Sequence, residues 1–478
     1  MRVPLKLFLS FFVFFSPLIV LGNKTGSPQR LGFITRSGDK LMDGNKEFRF
    51  IGLNIPNLQV NEDNSFLSKG WHRIDEYEMR DAFKTIQMMG GNVTRVYVFS
   101  IQGGVNNPNL KSHIYGPGKY DEEMFKDFDL LLKLANDYKI RLIVPFIDNW
   151  DWWGGTMRLA AFRGKKQAEF CTDSLVRADY KALVNYILNR KNTYTGVKYK
   201  DDPAILAWET GNELGIENAH NDATILDRWT KEMSAYIKSI DKKHLLVDGK
   251  DSYRFGLSEA QVDDPNTDIL TEHYYWGDYV ASCKKARNLC KSKKVFFVGE
   301  FNSADINVHE KLFNEVISNG TAGALVWSLR FHTKDGGFYY HSERSDAANP
   351  CYRWPGFPSA MTNEANKMAQ IREFSYKIRG LAVPKLPIPE APDPIKKSTT
   401  EQLRWLGSVG AESYILERAT NPKGKWDVID AKVMEDGIPY VPYSDKTARK
   451  GQSYYYRLRA QNISGISTAS KVLGPLSR

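Results

Sequence analysis

Cysteine is scarce in this chain: four in 478 residues, at positions 171, 283, 290 and 351, with no CxxC pair. That excludes a disulfide-dense scaffold and argues against a structural zinc site. No run of five or six basic residues occurs. The net charge of +10, from 66 Lys+Arg against 56 Asp+Glu, is spread over a long chain and gives no footing for nucleic-acid binding. There is no GxGxxG turn, no G-x-S-x-G elbow and no cluster of His and Asp at metal-ligand spacing. The pattern calls for no cofactor and no metal. Past residue 21 no segment holds 18 uninterrupted apolar residues, so no membrane span is expected in the remainder.

What is present reads as a folded globular protein. Hydrophobic residues make up 42% and charged residues 26%, and aromatics reach 13% with 11 Trp and 24 Tyr, enough for stacking surfaces as well as a core. Arg2 and Lys6 precede an apolar stretch over residues 7–21, and Val20 and Gly22 suit a signal-peptidase site. Residues 1–22 are therefore expected to be a signal peptide cleaved before Asn23, leaving a secreted protein with no membrane association. Export permits disulfides. Cys283 and Cys290, seven apart, are expected to pair, and sequence leaves a bridge between Cys171 and Cys351 open.

From about residue 47 to 379, short apolar runs alternate with longer helical patterns. The strand candidates are 48–54, 92–98, 141–146, 205–210, 244–248, 269–274, 295–300 and 322–329. Helical stretches lie at 75–89, 122–138, 174–190, 223–240 and 309–318. Continuous apolar strands point to a parallel sheet buried on both faces. Eight strand–helix units point to a (β/α)8 barrel over residues 28–380. A doubly wound open sheet would want a glycine-rich turn after an early strand, which is missing. Residues 381–397 hold five prolines and read as a semi-rigid linker. Residues 398–478 carry strand and turn signals without a helix, with period-two runs at 413–418 and 453–460. Trp405, Tyr414, Leu416 and the 454–456 tyrosines fit the core of a small β-sandwich.

Chemistry in such barrels sits where strands end. The second strand ends at Arg95. The third leads to Asp148, Asn149, Trp150, Asp151, Trp152 and Trp153. The fourth leads to Glu209, Asn212 and Glu213, the sixth to Glu272, His273 and Tyr275, the seventh to Glu300, the eighth to Trp327. Two carboxylates across an aromatic-rich barrel mouth suit glycoside hydrolysis: one protonates the leaving oxygen, the other attacks the anomeric carbon or activates water. Indole platforms and hydrogen-bonding side chains match the CH faces and hydroxyls of sugars. Glu209 reads as a structural, paired carboxylate. His332, Asp335 and His341 fall in the loop after the last strand, expected to be solvated.

The run YKDDPAILAWETGNELG at 199–215 resembles the fourth-strand signature of glycoside hydrolase family 5, and VFFVGEF at 295–301 its seventh-strand signature. NRKNTYTGVKYKDDPAILAWE, FRFIGLN, Asn149–Trp150 followed by Gly154–Gly155, and the HYY at 273–275 are especially similar to its endo-β-1,4-mannanases. The carboxy-terminal segment, with YILERAT and GQSYYYRLRAQNISGISTAS, resembles a fibronectin type III module. The family resemblance implies a retaining mechanism with Glu213 as general acid/base and Glu300 as nucleophile. It implies that Arg95 keeps Glu300 ionised while Glu213 is protonated, that Tyr275 donates to Glu300 and that Asn212 binds the 2-hydroxyl. His273 would help cycle the proton of Glu213, Trp327 would form the sugar floor, and Asn149 and Trp150 would contact substrate. One departure stands out: the chain reads NEL where such members read NEP, with Leu214 in the proline position, so the subfamily stays open. The expected activity is internal cleavage of β-1,4-mannosidic linkages in mannan, glucomannan or galactomannan by a monomer. The alternatives are an exo-acting β-mannosidase, a β-1,4-glucanase of the same family, or a non-catalytic carbohydrate-binding protein.

Overall fold

Eight parallel strands form the central sheet of the computed structural model: β1 Phe50–Leu53, β2 Val93–Arg95, β3 Arg141–Pro145, β4 Ile205–Glu209, β5 Leu245–Val247, β6 Ile269–Tyr274, β7 Val295–Phe301 and β8 Gly323–Val326. The structure describes residues 31–104, 110–341, 351–357 and 363–478. The expected signal peptide lies outside the described residues, as do residues 105–109. From β2 to β8 each strand pairs with its sequence neighbours, and β8 pairs back onto β1. Between β1 and β2 the ring is bridged by Ile55 N–H to the Arg95 carbonyl at 3.0 Å and by Thr94 Oγ1 to the Leu53 carbonyl at 2.8 Å. An open doubly wound sheet would leave unpaired edges there, so the barrel expectation holds and its competitor does not.

Alternation along the strands divides two cores. Phe50, Val93, Ile143, Ala207, Val247, Ile269, Phe297 and Leu325 fill the barrel interior. Ile51, Leu142, Trp208, Leu246, Leu270, Phe296 and Val326 face the surrounding helices. A three-stranded amino-terminal meander (Ile34–Ser37, Lys40–Asp43, Lys46–Phe48) adds Ile34 and Leu41 to the interior cluster. The main helices are α1 Glu76–Met88, α2 Glu122–Tyr138, α3 Ser174–Asn189, α4 Ala223–Ile240, α5 Tyr279–Cys290, α6 Ile306–Asn319 and α7 Glu364–Lys377. The first six start on an Asp N-cap whose carboxylate accepts a first-turn N–H, which satisfies donors left orphaned at a helix start.

Helix α5 corrects the disulfide expectation. Cys283 and Cys290 both lie on it, two turns and roughly 10 Å apart along the axis, beyond the ~7 Å reach of a bridge. No two of the four cysteines are joined, and all four are buried. Burial pushes the Cys283 thiol up to about 11 and the Cys290 thiol to about 12, so neither is a reactive thiolate at neutral pH.

Beyond α7 the proline-rich stretch runs extended and is tied down along its length. Arg372 donates to the Pro384 carbonyl at 2.7 Å, Asn462 to that of Pro387 at 2.8 Å, and Lys84 pairs with Glu390 at 2.7 Å. The carboxy-terminal segment forms an antiparallel sheet of β9 Ser413–Ala419, β10 Asp427–Val433, β11 Ser453–Asn462, β12 Gly465–Ile466 and β13 Leu473–Ser477. Trp405, Tyr414, Leu416, Tyr456 and Leu458 share its core. This segment packs on the barrel. Tyr77 of α1 donates to the Gly407 carbonyl at 3.0 Å, and Arg404 donates to the Asp335 carbonyl at 3.2 Å. A Cβ at Gly337 would lie 2.3 Å from Tyr440, so only glycine fits there. The loop after β8 is therefore not solvated as expected: His332 is buried at this contact, against Asp81 of α1 at 2.9 Å and Glu435 at 3.5 Å.

Candidate functional site

Inward positions along the strands deliver the polar residues in steps of two. Val93 in the interior is followed by Arg95, Ala207 by Glu209, Ile269 by Thr271 and His273. Strict alternation would turn Glu300 outward, because Gly299 already faces inward. The ladder slips in register near the end of β7, on both its sides. That irregularity turns Glu300 to the interior as well.

Arg95 is the hub. It is fully buried and donates Nε and Nη2 to Glu209 at 2.8 and 3.0 Å, Nη1 to Glu300 Oε1 at 2.7 Å, and Nη2 to Asn212 Oδ1 at 2.7 Å. Glu209 is thus the paired structural carboxylate. Glu300 accepts a second bond at Oε2 from the Tyr275 hydroxyl, 2.7 Å away. Glu213 stands opposite. His273 Nδ1 lies 2.7 Å from Glu213 Oε1, and Trp150 Nε1 donates to Oε2 at 2.6 Å. His273 Nδ1 is also 3.6 Å from Glu300 Oε2. One ligand-type atom from each of Glu213, His273 and Glu300 lies within 4.8 Å of the others. A cation could use that spacing, but the Arg95 guanidinium already supplies positive charge to Glu300 there.

The structure brings Glu213, Glu300, Arg95, Asn212, His273, Tyr275 and Trp150 together. Trp327 borders them, edge-on to Tyr97 at 6.1 Å. Asn149 sits one step behind. Its Nδ2 donates to Glu217 at 2.8 Å and its Oδ1 accepts from Asn218 and from the Gly215 N–H, so it braces the loop after β4 and is buried rather than lining the cleft. Of the three neighbouring tryptophans, Trp153 packs against Tyr97 and Trp71, while Trp150 and Trp152 are exposed.

Glu213 has φ +53°, a left-handed backbone that costs a non-glycine residue roughly 1–2 kcal/mol. Its neighbours hold it there: Asn212 N–H donates to the Ile147 carbonyl at 2.7 Å and Leu214 N–H to the Gly249 carbonyl at 2.9 Å. This gives the NEL departure a physical role. A proline at 214 has no N–H and could not make the second bond.

The charge balance differs from the expectation. Burial would raise the Glu213 carboxyl, but the hydrogen bond and charge of His273, the bond from Trp150 and the charge of Arg95 outweigh it and hold the group at about 2. Burial pushes Glu300 above the ordinary carboxylate range. His273 and Arg95 oppose this, and Glu213's charge adds to it. Burial would lower His273, yet the negative charges of Glu300 and Glu213 raise it above its ordinary value. In the resting site Glu213 is therefore not the protonated partner set apart by Arg95, because His273 stands beside it and takes up the proton.

Sequence reasoning passed over several residues here. Tyr97, two positions after Arg95, donates to Asp148 Oδ2 at 2.8 Å, and Asn212 donates to Asp148 Oδ1 at 3.0 Å. Burial pushes Asp148 up to about 7 against the bonds from Asn212 and Tyr97. The period of two from Arg95 was the signal for Tyr97. Arg254 and Glu217 carried none, since both sit in short helical turns that no motif marks.

An eight-stranded barrel with two facing glutamates at its strand ends defines the class of carboxylate-pair glycosidase architectures. Comparison with known proteins names the family. The model of the GH family 5 beta-mannosidase-like proteins matches residues 32–294, and the chain belongs to that family. It is 32% identical over 265 residues to mannan endo-1,4-beta-mannosidase 1 of Arabidopsis thaliana, covering 55% of this chain and 61% of that protein. It is 28% identical over 343 residues to mannan endo-1,4-beta-mannosidase 1 of Solanum lycopersicum, covering 59% and 84%. The chain spans less than two thirds of the Arabidopsis relative and 39% of a putative mannan endo-1,4-beta-mannosidase 5 of Oryza sativa. Among solved structures, the endo-1,4-beta-mannanase of Rhizomucor miehei superposes with TM-score 0.56 at 22% identity, covering 72% of this chain and all of that one. That of Thermotoga petrophila gives 0.56 at 19%, covering 89% and 98%. At these identities the solved structures support the fold.

Proposed function

We propose that the chain is a secreted, retaining glycoside hydrolase that cuts β-1,4-mannosidic linkages within mannan, glucomannan or galactomannan. The observation that carries this reading is the approach of the Glu213 and Glu300 carboxylates, with oxygens within 4.8 Å and His273 against both. Retaining pairs stand about 5–5.5 Å apart, inverting pairs about 6.5–9.5 Å to admit a water. The relatives named as mannan endo-1,4-beta-mannosidases support the substrate class. Export rests on residues 1–22. The carboxy-terminal sheet is read as a fibronectin type III module, in keeping with its antiparallel strands and its Trp405–Tyr414–Tyr456 core.

In this mechanism His273 carries the working proton at rest, 2.7 Å from Glu213 Oε1. As substrate displaces water, the proton passes to Glu213, which delivers it to the glycosidic oxygen. Glu300 attacks the anomeric carbon, the C–O bond breaks, and a glycosyl ester forms on Glu300. Arg95 and Tyr275 hold the attacking carboxylate in line. A water then loses its proton to Glu213, its oxygen bonds to the anomeric carbon, and Glu300 leaves. Asn212 binds the 2-hydroxyl, and Trp327 is the floor under that sugar.

The test is product analysis with glucomannan, galactomannan, mannohexaose and cellohexaose. Mixed mannooligosaccharides early in the reaction are expected. Mannose alone would move the reading to an exo-acting enzyme, products from cellohexaose alone to a β-glucanase, and binding without products to a non-catalytic protein.

A further inference from the structure

A cation near Trp150, the indole that holds Glu213, has no part in the mechanism above. Arg254 lies in the short helix Ser252–Phe255 after β5. Its Nε pairs with Asp251 at 2.9 Å and its Nη2 donates to Glu217 Oε1 at 2.8 Å. The guanidinium lies 5.6 Å from the centre of the Trp150 ring and 4.4 Å from that of Phe255. It also occupies the space over Gly215, where a Cβ would come 2.4 Å from Nη2. The position two residues past Glu213 thus has no side chain, and an arginine from another loop fills its place. Among the described residues Arg254 Nη1 has no hydrogen-bond partner, and 32% of the side chain is exposed. Trp150 is 43% exposed and Phe255 41%.

An exposed indole with a rigidly held planar donor beside it matches the CH face and rim hydroxyls of a pyranose. Trp150 holds Glu213 through its Nε1, and Glu213 protonates the leaving oxygen. A sugar seated on Trp150 therefore belongs to the leaving group and not to the residue attacked by Glu300. We propose that Arg254 is a specificity-determining residue that reads the leaving-group sugar, with Nη1 donating to its hydroxyls while Asp251 and Glu217 hold the guanidinium flat. This rests on the reading of Glu213 as acid/base.

The test uses the full chain and its Arg254→Ala and Arg254→Lys variants, each checked for wild-type thermal unfolding. Two substrates are compared: mannohexaose, which puts sugars on both sides of the cut, and an aryl β-mannobioside, whose leaving group is nitrophenol. In Arg254→Ala, kcat/KM on mannohexaose is expected to fall at least tenfold further than on the aryl substrate, and the cleavage positions to shift. Arg254→Lys, a point charge without the planar fork, is expected to recover only a small part. Equal losses on both substrates with a moved alkaline limb in the pH profile would overturn the proposal and leave Arg254 as a support for Glu213. If the wild-type chain cleaves neither substrate, the hydrolase reading fails and takes the proposal with it. If Arg254→Ala unfolds, Arg254→Lys carries the comparison, and an equal loss on both substrates there overturns the proposal.

Discussion

The contact between barrel and carboxy-terminal segment should loosen as the medium becomes alkaline. His332 is 3% exposed, between Asp81 of the barrel and Glu435 of the carboxy-terminal segment. Gly407 makes room for it, since a Cβ there would come 2.1 Å from the imidazole. Burial would lower this histidine, but Asp81 and Glu435 outweigh burial and lift it to about 10. A group whose folded value is raised contributes stability that is fully present below its unfolded value, ~6.5, and lost as pH rises through the folded value. The window is therefore pH 6.5–10. At about 1.4 kcal/mol per pH unit it corresponds to on the order of 5 kcal/mol, a ceiling for a buried ion pair. Denaturant unfolding at pH 6.5 and 10, with wild type and Glu435→Gln compared, isolates this group from His341, which is also raised, to about 11. Wild type should lose several kcal/mol over that span, and Glu435→Gln should lose distinctly less because it has forfeited part of the gain already at pH 6.5. Identical pH slopes in the two proteins, or a His332 resonance titrating near 6.5, would refute the reasoning.

Two further outcomes test the site. Glu213→Ala should lower turnover of an activated aryl β-mannoside by ~10²–10⁴-fold, and azide should restore it as a β-azide product, while Glu300→Ala should give no retained product under the same conditions. Gly299→Ala places a methyl 2.7 Å from His273 Nε2 and 2.5 Å from Thr271 Oγ1. The imidazole must shift, disturbing its bond to Glu213 at a cost of ~1.5–3 kcal/mol of charge-assisted hydrogen bonding, so the Glu213 carboxyl should rise from about 2, the pair should hold its working proton less tightly, and the alkaline limb of kcat/KM should move to lower pH. An unmoved limb would exclude His273 as the group that holds Glu213 down.

Much of the barrel was legible from local pattern. All eight strands fell where apolar runs predicted them, because a strand buried on both faces must be apolar along its length. Asn212–Glu213 and Glu300 stood out because they close such strands in recognisable motifs. Helix α5 is missing from the helical stretches read along the sequence, since its exposed lysines mask the buried Tyr279, Cys283 and Cys290. The same oversight allowed the Cys283–Cys290 pairing, which a helical reading rules out. His332 was assigned to solvent because nothing local announces that Glu435, a hundred residues on, will cover it.

By itself the sequence determined the strand–helix repeat, the inward steps that carry Arg95, Glu209 and His273, and the two glutamates, all from periodicities of two or so residues and short motifs. Tertiary structure alone decided the rest. The slipped register near the end of β7 turns Glu300 inward against the alternation. Three strands converge to set the proton on His273 rather than Glu213. Two separate loops bring Arg254 over Gly215. Periodicity and burial are properties of neighbours along the chain, whereas a carboxyl's charge depends on whatever lies within a few ångströms in space.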